Sequence, residues 1–175
     1  MSEPRSYTTT VVFADVAGSS KLYKELGDDV ANAKVGAVVD SLSRATEQSG
    51  GVVIKTIGDE VMCHFPDAND ACTATIIFQD ICSAMLPIRV GMACGSVIEK
   101  DGDLFGQAVN DAAAVAKIAR GGQIITTEAF RSLLNAENSG KLSNYDEVRL
   151  KGGEEPTKLY RIDWDRSEEH TSELQ

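Results

Sequence analysis

Long apolar runs are missing from this chain of 175 residues. None approaches the roughly 18–20 residues that a membrane-spanning helix needs. The segment Met1–Tyr7, with Glu3 and Arg5, lacks the apolar stretch of a secretory leader. A cytoplasmic protein with no membrane contact is expected. Cysteine spacing of the metal-binding or redox kind is also missing. Cys63, Cys72, Cys82 and Cys94 form no Cys-x-x-Cys pair, lie in apolar-rich segments and share the chain with only two histidines. Reduced, buried thiols are therefore expected rather than a disulfide framework or zinc site. Positive charge is in deficit, 17 Lys and Arg standing against 27 Asp and Glu for a net charge of −10. That balance disfavours nucleic-acid binding, which needs a basic footprint. A triphosphate remains an acceptable ligand, because metal ions can neutralise it locally. Internal repeats and low-complexity linkers are absent.

What is present is ordinary for a globular protein: 42% apolar and 25% charged residues, in a length that suits one domain with its own core. Residues 1–165 are expected to form that domain. The polar, non-periodic stretch Arg166–Gln175 resembles adaptor- or tag-derived sequence and is set apart as a non-native tail.

The β-branched run Thr8–Val16 predicts a buried strand. Gly18-Ser19-Ser20 then turns the chain, with Ser19 or Ser20 capping a helix through Leu26. A second helix is expected over Asp28–Gln48, with Val30, Val35, Val38, Val39 and Leu42 on one side and Gly50-Gly51 as its stop. Val52–Thr56 and Glu60–Phe65 read as a hairpin joined through Ile57-Gly58-Asp59. Pro66 and Asp67 open a helix to about Ser83. Ile88–Ala93 and Ser96–Glu99 are expected strands around Gly95, followed by a turn at Lys100–Asp103. Alanine-rich Gly106–Ala119 predicts a helix ended by Gly121-Gly122. A strand over Gln123–Thr126, a helix over Thr127–Leu134, and strands over Glu147–Leu150 and Lys158–Asp163 complete the pattern. The alternation implies an α/β fold, an α+β sandwich with helices packed on a mixed sheet.

Two acidic residues stand where chemistry would use them. Asp15 ends an apolar strand just before a small-residue loop and a helix start, and Asp59 lies at a hairpin tip. Taken singly, each is a turn former. If their strands are neighbours, the two carboxylates converge and could hold two divalent cations, which suits in-line displacement at phosphorus. The backbone from Val16 through Gly18 and Ser19, entering a helix N-terminus, would offer N–H groups to phosphate oxygens.

With these residues in view, the chain from Val11 to about Tyr160 resembles the class III nucleotidyl cyclases. Phe13-Ala-Asp-Val-Ala-Gly-Ser-Ser20 is similar to the family's first metal motif, and Lys55-Thr-Ile-Gly-Asp59 to the second, which also carries a base-reading lysine. Asp103-Leu-Phe-Gly106 with Val109-Asn110 resembles the segment of the second base reader and the transition-state asparagine. Leu150-Lys151-Gly152 resembles the site of a late triphosphate-binding lysine. The resemblance implies a ferredoxin-like, palm-type fold and a head-to-tail homodimer with active sites at the interface. One chain would supply Asp15, the Val16 carbonyl and Asp59 to two Mg2+ or Mn2+ ions. The other would supply Lys55, Asp103, Asn110 and Lys151. The implied reaction is attack of a ribose 3′-oxygen on the α-phosphate of a nucleoside triphosphate, giving a 3′,5′-cyclic nucleotide and pyrophosphate. A lysine that donates to adenine N1 and an aspartate that accepts from its amine favour ATP.

The sequence departs from the family pattern at Ala114, four residues beyond Asn110, where an arginine is usual. Losing such a cation costs on the order of 10²–10³ in rate. Lys117, on the same helical face as positions 110 and 114, is a candidate substitute; the competing reading is an exposed helix lysine. Small stand-alone cyclases resemble the antiphage enzymes that make cyclic UMP or cyclic CMP, so a pyrimidine cyclase is the alternative on substrate. A degenerate nucleotide-binding dimerisation domain is the non-enzymatic alternative. A diguanylate cyclase would need a glycine in place of Ile57, and leaves Lys55 and the Val109-Asn110 pair unexplained.

Overall fold

The structure, a computed structural model, describes residues 3–150, 153 and 155–164. Lys151, Gly152 and the expected tail lie outside the described residues. The strands are β1 (Arg5–Val16), β2 (Val52–Ile57), β3 (Glu60–Phe65), β4 (Ile88–Lys100), β5 (Asp103–Phe105), β6 (Ile124–Thr127), β7 (Leu142–Val148) and β8 (Thr157–Ile162). The helices are α1 (Ser19–Leu26), α2 (Asp28–Gln48), α3 (Ala68–Cys82), α4 (Gln107–Ile118), α5 (Glu128–Arg131) and α6 (Ala136–Ser139).

The sheet runs β2-β3-β1-β4-β6-β8-β7, with β5 pairing to β4. It is mixed, since β4 and β6 pair in parallel while the other pairs are antiparallel. Thr9 to Ala14 are all buried, as expected of a central strand covered on both faces. Alternation along β1 sorts two cores. Val12, Ala14 and Val16 pack with Val35, Val38 and Leu42 of α2 and Phe78 of α3. Val11 and Phe13 pack with Met62, Ala93 and the alanines Ala108, Ala112 and Ala116 of α4. Small side chains let α4 lie close: a Cβ on Gly91 would fall 2.2 Å from the Ala116 nitrogen. The expected sandwich, with β1–β4 and their helices in a ferredoxin-like arrangement, is thus observed.

Several boundaries differ from expectation. β1 starts at Arg5 because its register with β4 continues unbroken to Arg5↔Glu99, and the same pairing carries β4 through Gly95 as one strand. β5 and α6 were not expected, and β7 begins at Leu142 rather than Glu147. α5 is shorter than expected, although Thr127 does cap it by accepting from the Phe130 N–H. Neither Ser19 nor Ser20 caps α1; Gly18 holds that position in the left-handed region at φ 70, without a side-chain cap. Cys63, Cys72 and Cys82 are buried, Cys94 is half-buried, and all four are free thiols. Among the described residues, no helix is long and apolar enough to cross a membrane.

Candidate active site

Asp15 lies in register with Glu60 on β3 and with Arg89 on β4. Directly paired residues project from the same face of a sheet. Glu60, Asp15 and Arg89 therefore form a row across three strands, one step beyond the Met62–Phe13–Gly91 row on which α4 rests. Arg89 Nε donates to Asp15 Oδ1 at 3.1 Å and Nη2 to Oδ2 at 2.7 Å. The Asp15 side chain is only 17% exposed, so this charge-assisted fork is its principal compensation for lost water. The same bonds hold the guanidinium more firmly protonated than usual. Burial, then the charges of Asp15 and Asp59, push the Glu60 carboxyl above the usual carboxylate range, while Lys117 and Arg89 oppose the shift.

Asp59 occupies the β2–β3 turn, which Gly58 closes with φ 59. Its charge reaches both Glu60 and Arg89. The sequence-expected pair Asp15 and Asp59 is thus brought to one end of the sheet. The Val16 carbonyl follows Asp15 directly, and Ala17, Gly18 and Ser19 lead into the uncapped start of α1. Among the described residues, no group of three or more His, Cys, Asp and Glu side chains is close enough to hold a metal by itself. The donors at this end are hard oxygens, carboxylate and carbonyl, which suit Mg2+ or Mn2+ rather than zinc or copper.

A second cluster forms elsewhere. The β4–β5 hairpin folds back so that Asp103 reaches edge strand β2, where Lys55 Nζ donates to Asp103 Oδ2 at 2.9 Å. Asp103 Oδ1 accepts from the Leu104 N–H at 2.8 Å. The Lys55 bond, foremost, holds the Asp103 carboxyl below the usual range. Gly106, at φ 132, starts α4 where a Cβ would press on the Ser96 carbonyl at 3.0 Å. Asn110 follows one turn later on an exposed position. A Cβ on Gly95 would meet Ala108, whereas one on Gly91 would meet Ala116, so α4 runs antiparallel to β4. Asn110 thus stands towards its start, and Lys117 at the Asp15 end, where its charge acts on Glu60. Ala114, where an arginine was the expected residue, is half-buried against the cluster of Val115, Ala119, Ile125, Leu150 and Leu159.

Sequence reading assigned no role to Arg89 or Glu60. The available signal was a single charged residue in the otherwise apolar run Ile88-Arg-Val-Gly-Met-Ala93, which predicts a partner on a neighbouring strand.

This mixed sheet, with the Glu60–Asp15–Arg89 row at one end and Lys55 of β2 paired to Asp103 of the folded-back hairpin, has the layout of a nucleotidyl-cyclase type of catalytic domain. Residues 1–163 match the family of the adenylate and guanylate cyclase catalytic domain, and the chain belongs to that family. An adenylate/guanylate cyclase/hydrolase from Silicibacter pomeroyi superposes with a TM-score of 0.83 at 24% identity, over 93% of this chain and 100% of that one. An adenylyl cyclase from P. aeruginosa superposes at 0.81 with 21% identity, over 94% and 98%. Both share the fold. An adenylate cyclase of Streptomyces coelicolor is 30% identical over 160 residues, 87% of this chain and 42% of that protein. A pH-sensitive adenylate cyclase of Mycobacterium tuberculosis is 30% identical over 168 residues, 91% of this chain and 41% of that protein. The chain spans less than half the length of these two relatives.

Proposed function

We propose that the chain acts as a head-to-tail homodimer that converts ATP to cyclic AMP and pyrophosphate, with two Mg2+ or Mn2+ ions at Asp15, Asp59 and the Val16 carbonyl. The observation that carries this reading is the Lys55–Asp103 pair, two base-reading groups from different strands held as one unit at 2.9 Å. Each still has capacity: the ammonium keeps donors for a ring nitrogen, and the carboxylate keeps lone pairs for an exocyclic amine. Guanine presents a carbonyl and an N–H where adenine presents the amine and bare nitrogen, so the pair favours ATP.

Support for two chains comes from the division of the site. The metal carboxylates stand at the Asp15 end, the base readers on the β2 and β5 side. Ile98 and Phe105, which pair in register, and Ile57 on β2 stay about half exposed near the base readers. Apolar surface beside a polar site is what a second subunit would cover.

The metal ions would neutralise the triphosphate and make the ribose 3′-hydroxyl more acidic. Asp15 and Asp59 would hold them, and the backbone N–H groups from Gly18 and Ser19 into α1 would bind phosphate oxygens. Asn110 would orient the ribose as its 3′-hydroxyl gives up its proton to solvent, the 3′-oxygen bonds to the α-phosphorus and the bond to pyrophosphate breaks. Lys151 would bind the triphosphate. Lys117, beside Glu60, is the cation we assign to the charge developing on phosphorus in place of an arginine at 114.

Incubation with Mn2+ and ATP, GTP, CTP or UTP separately, followed by chromatography and mass spectrometry, tests the reading. Cyclic AMP from ATP is the expected product. Cyclic UMP or cyclic CMP would replace the assignment with a pyrimidine cyclase, and no product from any of the four would replace it with a nucleotide-binding domain.

A further inference from the structure

Asp15 is in an unusual electrostatic position for a metal carboxylate. Glu60 is its register partner on one side, and the charge of Asp59 on the β2–β3 turn acts on the same group of residues. The charges of Asp15 and Asp59 act against that of Glu60, and a largely buried carboxylate with no partner is costly. The charges facing them are two: Arg89 from β4 and Lys117 from the end of α4. Of these, only Arg89 makes a fork, Nε donating to Oδ1 of Asp15 at 3.1 Å and Nη2 to Oδ2 at 2.7 Å.

From this geometry we infer that Arg89 is an internal counter-ion for Asp15, a guanidinium that holds the metal carboxylate in place of a divalent cation and yields to that cation when it binds. The inference rests on the reading of Asp15 as a metal ligand. Its physical basis is competition for one group. The fork takes one lone pair from each Asp15 oxygen, and its fixed positive charge stands within roughly 5 Å of any cation that binds the same oxygens. A unit charge at that range, at the effective dielectric of a partly buried site, is enough to change metal affinity by about tenfold or more. Arg89 thereby keeps the metal-free carboxylate row folded, and in doing so weakens metal binding before nucleotide arrives. A purely positioning role predicts the reverse, because an Asp15 released from its fork would bind metal less well.

Mn2+ titration of the full chain by electron paramagnetic resonance, without nucleotide, separates the two. Arg89→Met should bind Mn2+ about tenfold more tightly than wild type. Its metal-free Tm should fall, and saturating Mn2+ should restore most of the loss. Arg89→Lys, which keeps the charge without the fork, should lie between them. In the wild-type chain, Mg2+ titration followed by proton–nitrogen NMR should move the Arg89 Nε–H signal away from its hydrogen-bonded position. Unchanged or weaker Mn2+ binding in both variants, or an Arg89 Nε–H signal that ignores saturating Mg2+, overturns the counter-ion. No Mn2+ binding to wild type at all overturns the metal reading of Asp15 along with it.

Discussion

Gly91 and Ala116 meet with no room for a methyl group between them. A Cβ on Gly91 would lie 2.2 Å from the Ala116 nitrogen and 2.3 Å from its Cα. Backbone cannot move aside as a flexible side-chain tip can, so this contact sets how closely α4 lies on the sheet. Gly91→Ala should cost about 1–3 kcal/mol through overpacking. Thermal unfolding checks it, with a Tm lower by roughly 5 °C expected.

Asp15 and Asp59 are predicted to be indispensable for turnover and dispensable for folding. Asparagine at either position should lower Mn2+-dependent cyclic-nucleotide formation by on the order of 10²–10³. Circular dichroism should show the native secondary structure in both.

Asp103→Ala should damage base reading rather than the chemical step. The variant leaves Lys55 without its partner and, in the proposed ATP-binding mode, removes the acceptor for an exocyclic amine. We expect kcat/KM for ATP to fall by about 10–100-fold, and the preference for ATP over GTP to narrow in competition assays.

Glu60 gives a pH signature in the metal-free protein. Burial and the neighbouring carboxylates raise its folded-state pKa, so the native state binds this proton more tightly than the unfolded chain does. Its contribution to stability is present below the unfolded pKa and is lost as pH rises through the folded one. Glu60→Gln does not titrate. Its Tm should therefore exceed that of wild type at neutral pH, and the gap should close as the pH is taken below about 4.

The thiols should be inert. Burial pushes Cys63 up to about 12 and Cys72 and Cys82 to about 11, leaving little thiolate at pH 8. Alkylation of the native protein followed by mass spectrometry should leave these three unmodified, with all four reacting after denaturation.

Local signals were enough to place much of this fold. α2 occupies the expected Asp28–Gln48 because Gly27 and Gly50-Gly51 bracket it, and the hairpin through Gly58 follows from its turn chemistry. The buried side of α2 was read one residue out of phase at its start: Val30 is 48% exposed and Ala31 takes the inward place. β5 is three residues long, too short to show alternation. β7 is an edge strand whose polar Ser143 and Asn144 hid its beginning. Asp15 and Asp59 stood out in the sequence because a strand end and a hairpin turn frame them, whereas Lys55 and Asp103 stood out only through the resemblance to the cyclase motifs. Arg89 was not, since its partner is 74 positions away in sequence and only the β1–β4 register joins them.

The close seating of α4 gives that helix a mechanical role. Asn110 and Lys117 are about 10 Å apart along one rigid axis, clamped near both ends over Gly95 and Gly91. In the proposed dimer, Asn110 serves the partner's carboxylates while Lys117 stands beside its own. A small tilt of the helix would then move donors in both active sites at once.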